Sequence, residues 1–131
     1  MEEQIRAALL ASSGVTALVA GRVNFGAHPQ GEPLPALVLT TVSDVSDHTL
    51  SAPDGTPEAR VQVDAYAPTY AGAKQLSRAV RAVMDGYSGG AIQGAFLASA
   101  RDSREGGTNE AERPFRVSMD FMVRYSMEAL Q

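Results

Sequence analysis

The stretch "FRVSMDFMVRYS" alternates without a break: Phe115, Val117, Met119, Phe121, Val123 and Tyr125 fall on one side, and Arg116, Ser118, Asp120, Met122, Arg124 and Ser126 on the other. A period of two puts these sets on opposite faces of a β-strand. Such a strand must join a sheet that buries one face and leaves the other polar. A second segment repeats the demand. In "RVQVDAYA", Val61, Val63, Ala65 and Ala67 point one way, and Arg60, Gln62, Asp64 and Tyr66 the other. The period then changes. From Thr69 or Tyr70 to Met84, Ala73, Leu76, Val80, Val83 and Met84 make a helical stripe, with Lys74, Gln75, Arg78 and Arg81 on the wet side. Thr69 is placed to cap this helix, and Gly86 to end it in a left-handed conformation. The helix thus follows the strand to roof its apolar side.

The remaining elements fit the same frame. Residues 2–12 read as a helix, with Ile5, Ala8, Leu9 and Ser12 on one face and Glu2 and Glu3 at the positive end of its dipole. Ser13 is placed to cap a second, short helix ended by Gly21. "RVNFG" reads as a short strand, "AHPQGEPLP" as a proline-rich loop, and "ALVLTTVS" as a buried strand. Residues 44–59, with two prolines and the turn pair Asp54-Gly55, read as a long hairpin connection. A strand over 91–101 follows "SGG", and a charged turn with Gly106-Gly107 leads into the final strand. The expected class is α+β: a mostly antiparallel sheet of four to five strands flanked by two main helices, within a single domain over 1–131.

Composition narrows the chemistry. With 131 residues the chain can bury roughly two-thirds of its unfolded surface, so one core is affordable and two are not. At 44% hydrophobic and 20% charged it is globular in composition. The net charge of −4 argues against gripping nucleic acid through overall charge. The absence of cysteine excludes disulfides, thiolate metal sites and cysteine catalysis. "MEEQIRAALL" starts acidic and carries no long apolar run, so neither a signal peptide nor a membrane span is expected there.

No catalytic set emerges. His28 and His48 lack partners at ligand spacing, and "SDVSDH", with Asp44, Asp47 and His48, reads as a solvated loop rather than a metal site. No G-x-S-x-G elbow surrounds any serine, and the glycine pairs lack a phosphate-loop lysine. Asp64 and Asp120 could pair as acid and base on the polar sheet face. Cross-strand pairing with Arg60, Arg116 and Arg124 is the plainer reading of that face. Lys74, Arg78 and Arg81 make a basic helix edge, read plainly as a solvated face and more sharply as a contact for an acidic partner. No metal, cofactor or enzyme activity is expected.

Three segments carry a resemblance: "PLPALVL", "DHTLSAPDGTPEARVQVDAYAPTYAGAKQLSRAVRAVMDGY" and "FRVSMDFMVRYS". Together they resemble the tail completion family of tailed bacteriophages and gene transfer agents, the tail terminators or head-to-tail joining proteins. The most specific part is "HTL" followed by "RVQVDAYAPTYAGAKQL". Asp54-Gly55 and the proline-rich loop give this chain its own tip. The resemblance implies a non-enzymatic virion protein, made in the bacterial cytoplasm and placed at the head-proximal end of a long tail. There it would form a ring, usually of six copies, that stops tube growth and joins the head. The implied partners are further copies, the tail tube protein and the head completion or connector protein, with DNA only as passing cargo and no membrane. The residues expected to meet neighbours are Arg60, Gln62, Asp64, Arg116, Asp120 and Arg124 on the sheet, and Asp47, His48 and Asp54 in the loop. The alternatives are a head-closure protein of the same particle and a small non-catalytic ligand-binding α+β module.

Overall fold

The computed structural model describes residues 1–29, 31, 33–45, 57–104 and 114–125. Its elements run α1 (Glu2–Leu10), α2 (Ser13–Val19), β1 (Val23–Phe25), β2 (Ala36–Val45), β3 (Glu58–Ala67), α3 (Tyr70–Met84), β4 (Ile92–Arg104) and β5 (Phe115–Tyr125). The strands form one sheet in the order β1-β2-β3-β5-β4. The α+β class and the element order agree with the sequence reading.

The alternating strands pair as their patterns demand. Val61 lies opposite Phe121 and Val63 opposite Met119, so both apolar rows share one face. Leu37 and Leu39 of β2 face Ala65 and Val63 on the same side. The helices close that side: Ile5 and Leu9 of α1, Val15 and Val19 of α2, and Leu76, Val80 and Met84 of α3 pack with these strand residues in one buried cluster.

Several boundaries move. Ser12, not Ser13, caps α2: its backbone is extended, and its hydroxyl accepts a hydrogen bond from the Val15 amide at 3.3 Å. Strands β2 and β3 continue to Val45 and Glu58, so the connection predicted over 44–59 loses both ends to the ladder. The rest of it, with Asp47, His48 and Asp54, lies outside the described residues. Strand β4 extends to Arg104 rather than ending near 101. Pairing is not wholly antiparallel, because β1 runs parallel to β2, with Val23 opposite Leu37. The proline-rich connection is long enough to carry the chain back before β2 begins.

Caps fix the α3 helix as expected. The Thr69 hydroxyl accepts from the Gly72 amide at 3.0 Å, and Gly86 has φ +87° just past the end. A further tie joins α1 to the turn before β4. Gln4 donates from its side-chain amide to the Gly89 carbonyl and accepts from the Ala91 amide at 3.1 Å. Between those two residues, Gly90 has φ +54°, and a Cβ there would lie 2.6 Å from Gln4 Nε2. Gly90→Ala should therefore lose both the left-handed backbone preference and the clamp, costing about 1–2 kcal/mol. Urea unfolding checks this: Gln4→Ala should cost less, and the double variant less than the sum of the two. A Gly90→Ala protein as stable as the parent would show that the clamp contributes nothing.

Candidate functional site

The face of the sheet away from the helices gathers the residues that the sequence singled out. Arg60, Gln62 and Asp64 of β3 stand beside Met122, Asp120 and Ser118 of β5. Arg116 lies opposite Tyr66, and Arg124 opposite Glu58. Six of the nine expected positions thus share one surface.

Their charges are largely spent within the subunit. Arg60 grips Asp120 Oδ2 through Nε and Nη2, each at 3.0 Å. Arg101 approaches the same oxygen at 3.6 Å and donates to the Gln62 side-chain oxygen Oε1 at 3.2 Å. Gln62 in turn donates to both oxygens of Asp64 at 2.9 and 3.0 Å, and the Ser118 hydroxyl donates to Asp64 Oδ1. Arg124 pairs with Glu58 at 3.3 Å. Arg116 donates to the Ser103 hydroxyl at 3.0 Å and lies over the Tyr66 ring, 6.0 Å from its centroid. The cross-strand Arg–Asp pairing expected from the sequence is therefore present for Asp120. Asp64 instead takes neutral donors.

Two acids on this face are shielded: Asp64 is 5% exposed and Asp120 6%. Asp120 Oδ1 is buried and has no hydrogen-bond partner among the described residues. Every other contact described is an acceptor held by a fixed donor. That geometry braces β3, β5 and β4 against one another, with the Ser118 hydroxyl bonded to the Asp64 carboxylate within it. Among the described residues, no three His, Asp or Glu side chains converge to hold a metal.

Sequence reasoning missed Arg101, Ser99 and Ser103 as members of this face. Simple alternation from Ala95 and Leu97 would have turned all three toward the helices. A register shift between Leu97 and Ser99 reverses the parity, so Ser99 faces Asp120 and Arg101 faces Ser118. Asp102 then falls on the helix side. There Tyr70 donates to it at 2.9 Å and Lys74 at 3.1 Å. The hydrogen bond to Asp102 raises the Lys74 ammonium above its ordinary value, and the hydrogen bonds from Lys74 and then Tyr70 lower the Asp102 carboxyl. This exposed triad ties the start of α3 to β4.

At the opposite edge of the sheet, a shallow cleft opens between the start of α1 and β1, lined by Met1, Glu2, Glu3, Phe25, Leu39 and Thr41. Phe25 is 47% exposed there. The Thr41 hydroxyl donates to Glu2 at 3.0 Å, and Arg6 donates to the Val23 carbonyl at 2.8 Å.

The described surface thus presents a braced polar sheet face, a helical roof and a cleft. The family profile of tail completion protein gp17 matches residues 3–126. The chain belongs to the tail completion protein gp17 family. It is accordingly a structural phage-tail protein, and the resemblance in the sequence is borne out. A chain of the solved "Virion of native gene transfer agent (GTA) particle" has a similar fold, with a TM-score of 0.60 and 22% identity, over 92% of this chain and 90% of that one. No curated protein matches the chain. Among the described residues, no helix is long and apolar enough to cross a membrane.

Proposed function

We propose that this chain is a tail terminator: it forms a ring, of six copies in the particle, at the head-proximal end of a long tail. There it stops growth of the tube and joins the tail to the head. The family match over nearly the whole chain is the observation that carries this reading. Residues 1–131 act as one domain, and the virion is where it works. Its partners are further copies of itself, the tail tube protein and the head completion protein. DNA only passes through, and a net charge of −4 per subunit gives the ring a repulsive surround that favours sliding.

The polar sheet face supplies a surface for partners in the particle, formed by Arg60, Gln62, Asp64, Arg116, Asp120 and Arg124. Its internal braces hold the side chains in fixed positions, which lowers the ordering cost of a contact. The loop residues Asp47, His48 and Asp54 belong to the same proposal. Particles made without this chain should carry tails of irregular length that are not joined to heads, as seen by electron microscopy. Normal tails joined to heads would overturn the reading.

The face has its own test. Arg116→Glu should lower stability by about 1–2 kcal/mol, through the loss of its part-buried contacts to Ser103 and Tyr66. It should nonetheless abolish tail completion. A folded Arg116→Glu protein that still yields joined tails would remove this face from the interface.

A further inference from the structure

The outer edge of β4 is closed along its first half and open along its second. The turn between α3 and β4 covers the start. Gly86 donates to the Ala95 carbonyl at 2.7 Å, Ala95 donates to the Tyr87 carbonyl at 3.0 Å, and Gly89 and Ile92 exchange a pair of bonds at 2.9 Å. The Asp85 carboxylate then takes the Leu97 amide at 3.0 Å. Beyond Leu97 that cover stops. From Ala98 to Arg104, β4 makes backbone hydrogen bonds only to β5 among the described residues. Arg101 and Asp102 turn onto the two faces and do not guard the edge: Arg101 leans on Asp120, and Asp102 is held by Tyr70 and Lys74. A row of unpaired amides and carbonyls of this length is a template for another strand.

The opposite edge of the sheet cannot supply that strand. There β1 has three residues, its Val23 amide is bonded to the Gly21 carbonyl, and its Val23 carbonyl takes Arg6. Two β4 edges paired with each other would close a twofold dimer and not a ring. Residues 126–131, which follow β5, lie outside the described residues. Their sequence, "SMEALQ", carries on the alternation of β5, with Met127 and Ala129 on the apolar parity and Glu128 on the polar one. The open edge matches that pattern. Its helix side shows exposed Ala100 and the Tyr70 ring, 48% exposed, and its other side shows Arg101, 55% exposed in its side chain. A subunit's own residues 126–131 cannot occupy this edge. Tyr125 lies opposite Ile92, at the covered end of β4. From there to Ala98 is about 20 Å along the strand, roughly the full reach of six extended residues.

We propose that residues 126–131 of one copy add as a strand to the Ala98–Arg104 edge of β4 in the next copy. Met127 then covers Tyr70 and Ala100, and Glu128 faces Arg101. Each copy gives beyond one end of β5 and receives at the far half of β4, which is a head-to-tail contact. This inference rests on the ring reading and adds how the copies join.

The chain has no cysteine, so introduced thiols report only their own positions. Ala100→Cys protein and Ala129→Cys protein are mixed as monomers, concentrated and treated with a short bis-maleimide. Gln93 is exposed on the covered half of β4, and Gln93→Cys serves as control. Crosslinked heterodimer should exceed that of the Gln93→Cys and Ala129→Cys mixture by about tenfold, the effect of holding two groups together rather than leaving them to collide. No excess overturns the proposal. So does an intramolecular link in a dilute chain carrying both Ala100→Cys and Ala129→Cys, because the segment would then serve its own subunit. A chain stopped after Tyr125 should keep the urea midpoint of the parent and lose the oligomer in sedimentation. Rings that survive this truncation mean that other surfaces meet. No oligomer of the parent at any concentration overturns the contact, and normal tails in particles made without the chain would overturn the ring reading with it.

Discussion

Phe121→Ala should destabilise the subunit by about 3–5 kcal/mol, the range for removing a fully buried phenylalanine. Phe121 has no exposed surface and lies at the middle of β5. Its row is shared with Val61 of β3 on one side and Leu97 of β4 on the other, and α3 closes over it. The position is central in all three directions, so the sheet cannot collapse into the space without breaking register. A domain of this size has roughly 5–15 kcal/mol in total, so the loss would take a large share of it. In urea the midpoint should fall sharply with an unchanged slope. By contrast, Phe96→Ala removes a side chain that is 46% exposed on the other face of β4, and should shift the midpoint little. Equal losses at the two positions would mean that the core is not on the side assigned to it.

The same contrast marks what was legible in the sequence. Phe121 could be read as buried because β5 alternates without interruption against an equally regular β3. The α3 helix was legible because one stripe, one capping threonine and one terminal glycine all agree on it. The β4 strand was legible as a strand, but which way its residues face was not, because its bulges are set by the partner strand and leave no local signature. Its register shifts hide Arg101 in a segment that looks like a charged turn. In β2 a similar shift between Thr41 and Ser43 leaves Val42 52% exposed, although its composition reads as core. The parallel pairing of β1 was also hidden. Three residues are too few to show a direction, and only the path of the preceding and following chain decides it. The polar face could be located from alternation alone, but not the internal pairing of its charges, which depends on which cation reaches across from β4.

That internal pairing gives Asp120 an outcome different from an ordinary surface acid. Asp120→Ala should cost about 2–3 kcal/mol, the scale of a charge-assisted hydrogen bond lost at a shielded carboxylate, reduced because Arg60 and Arg101 remain in reach of water. Arg60 is 37% exposed in its side chain and Arg101 55%, against 9% for Asp120, so the cations can rehydrate when their partner is removed. A double-mutant cycle with Arg60→Ala isolates the pair, and a coupling of about 1 kcal/mol or more is expected. The orphan Oδ1 bears on function. If the brace serves only the monomer, that oxygen is an uncompensated cost, and Asp120→Asn should be nearly neutral in tail completion. If the face meets a partner, Asp120→Asn should fold with a modest loss and still fail to join tails to heads, because Arg60 and Arg101 would no longer be held in place. Stability measured by urea and tail joining scored by electron microscopy on the same variant separate these cases. A variant that loses neither would show that the carboxylate braces nothing and positions nothing, and the polar face would then have to act through its arginines alone.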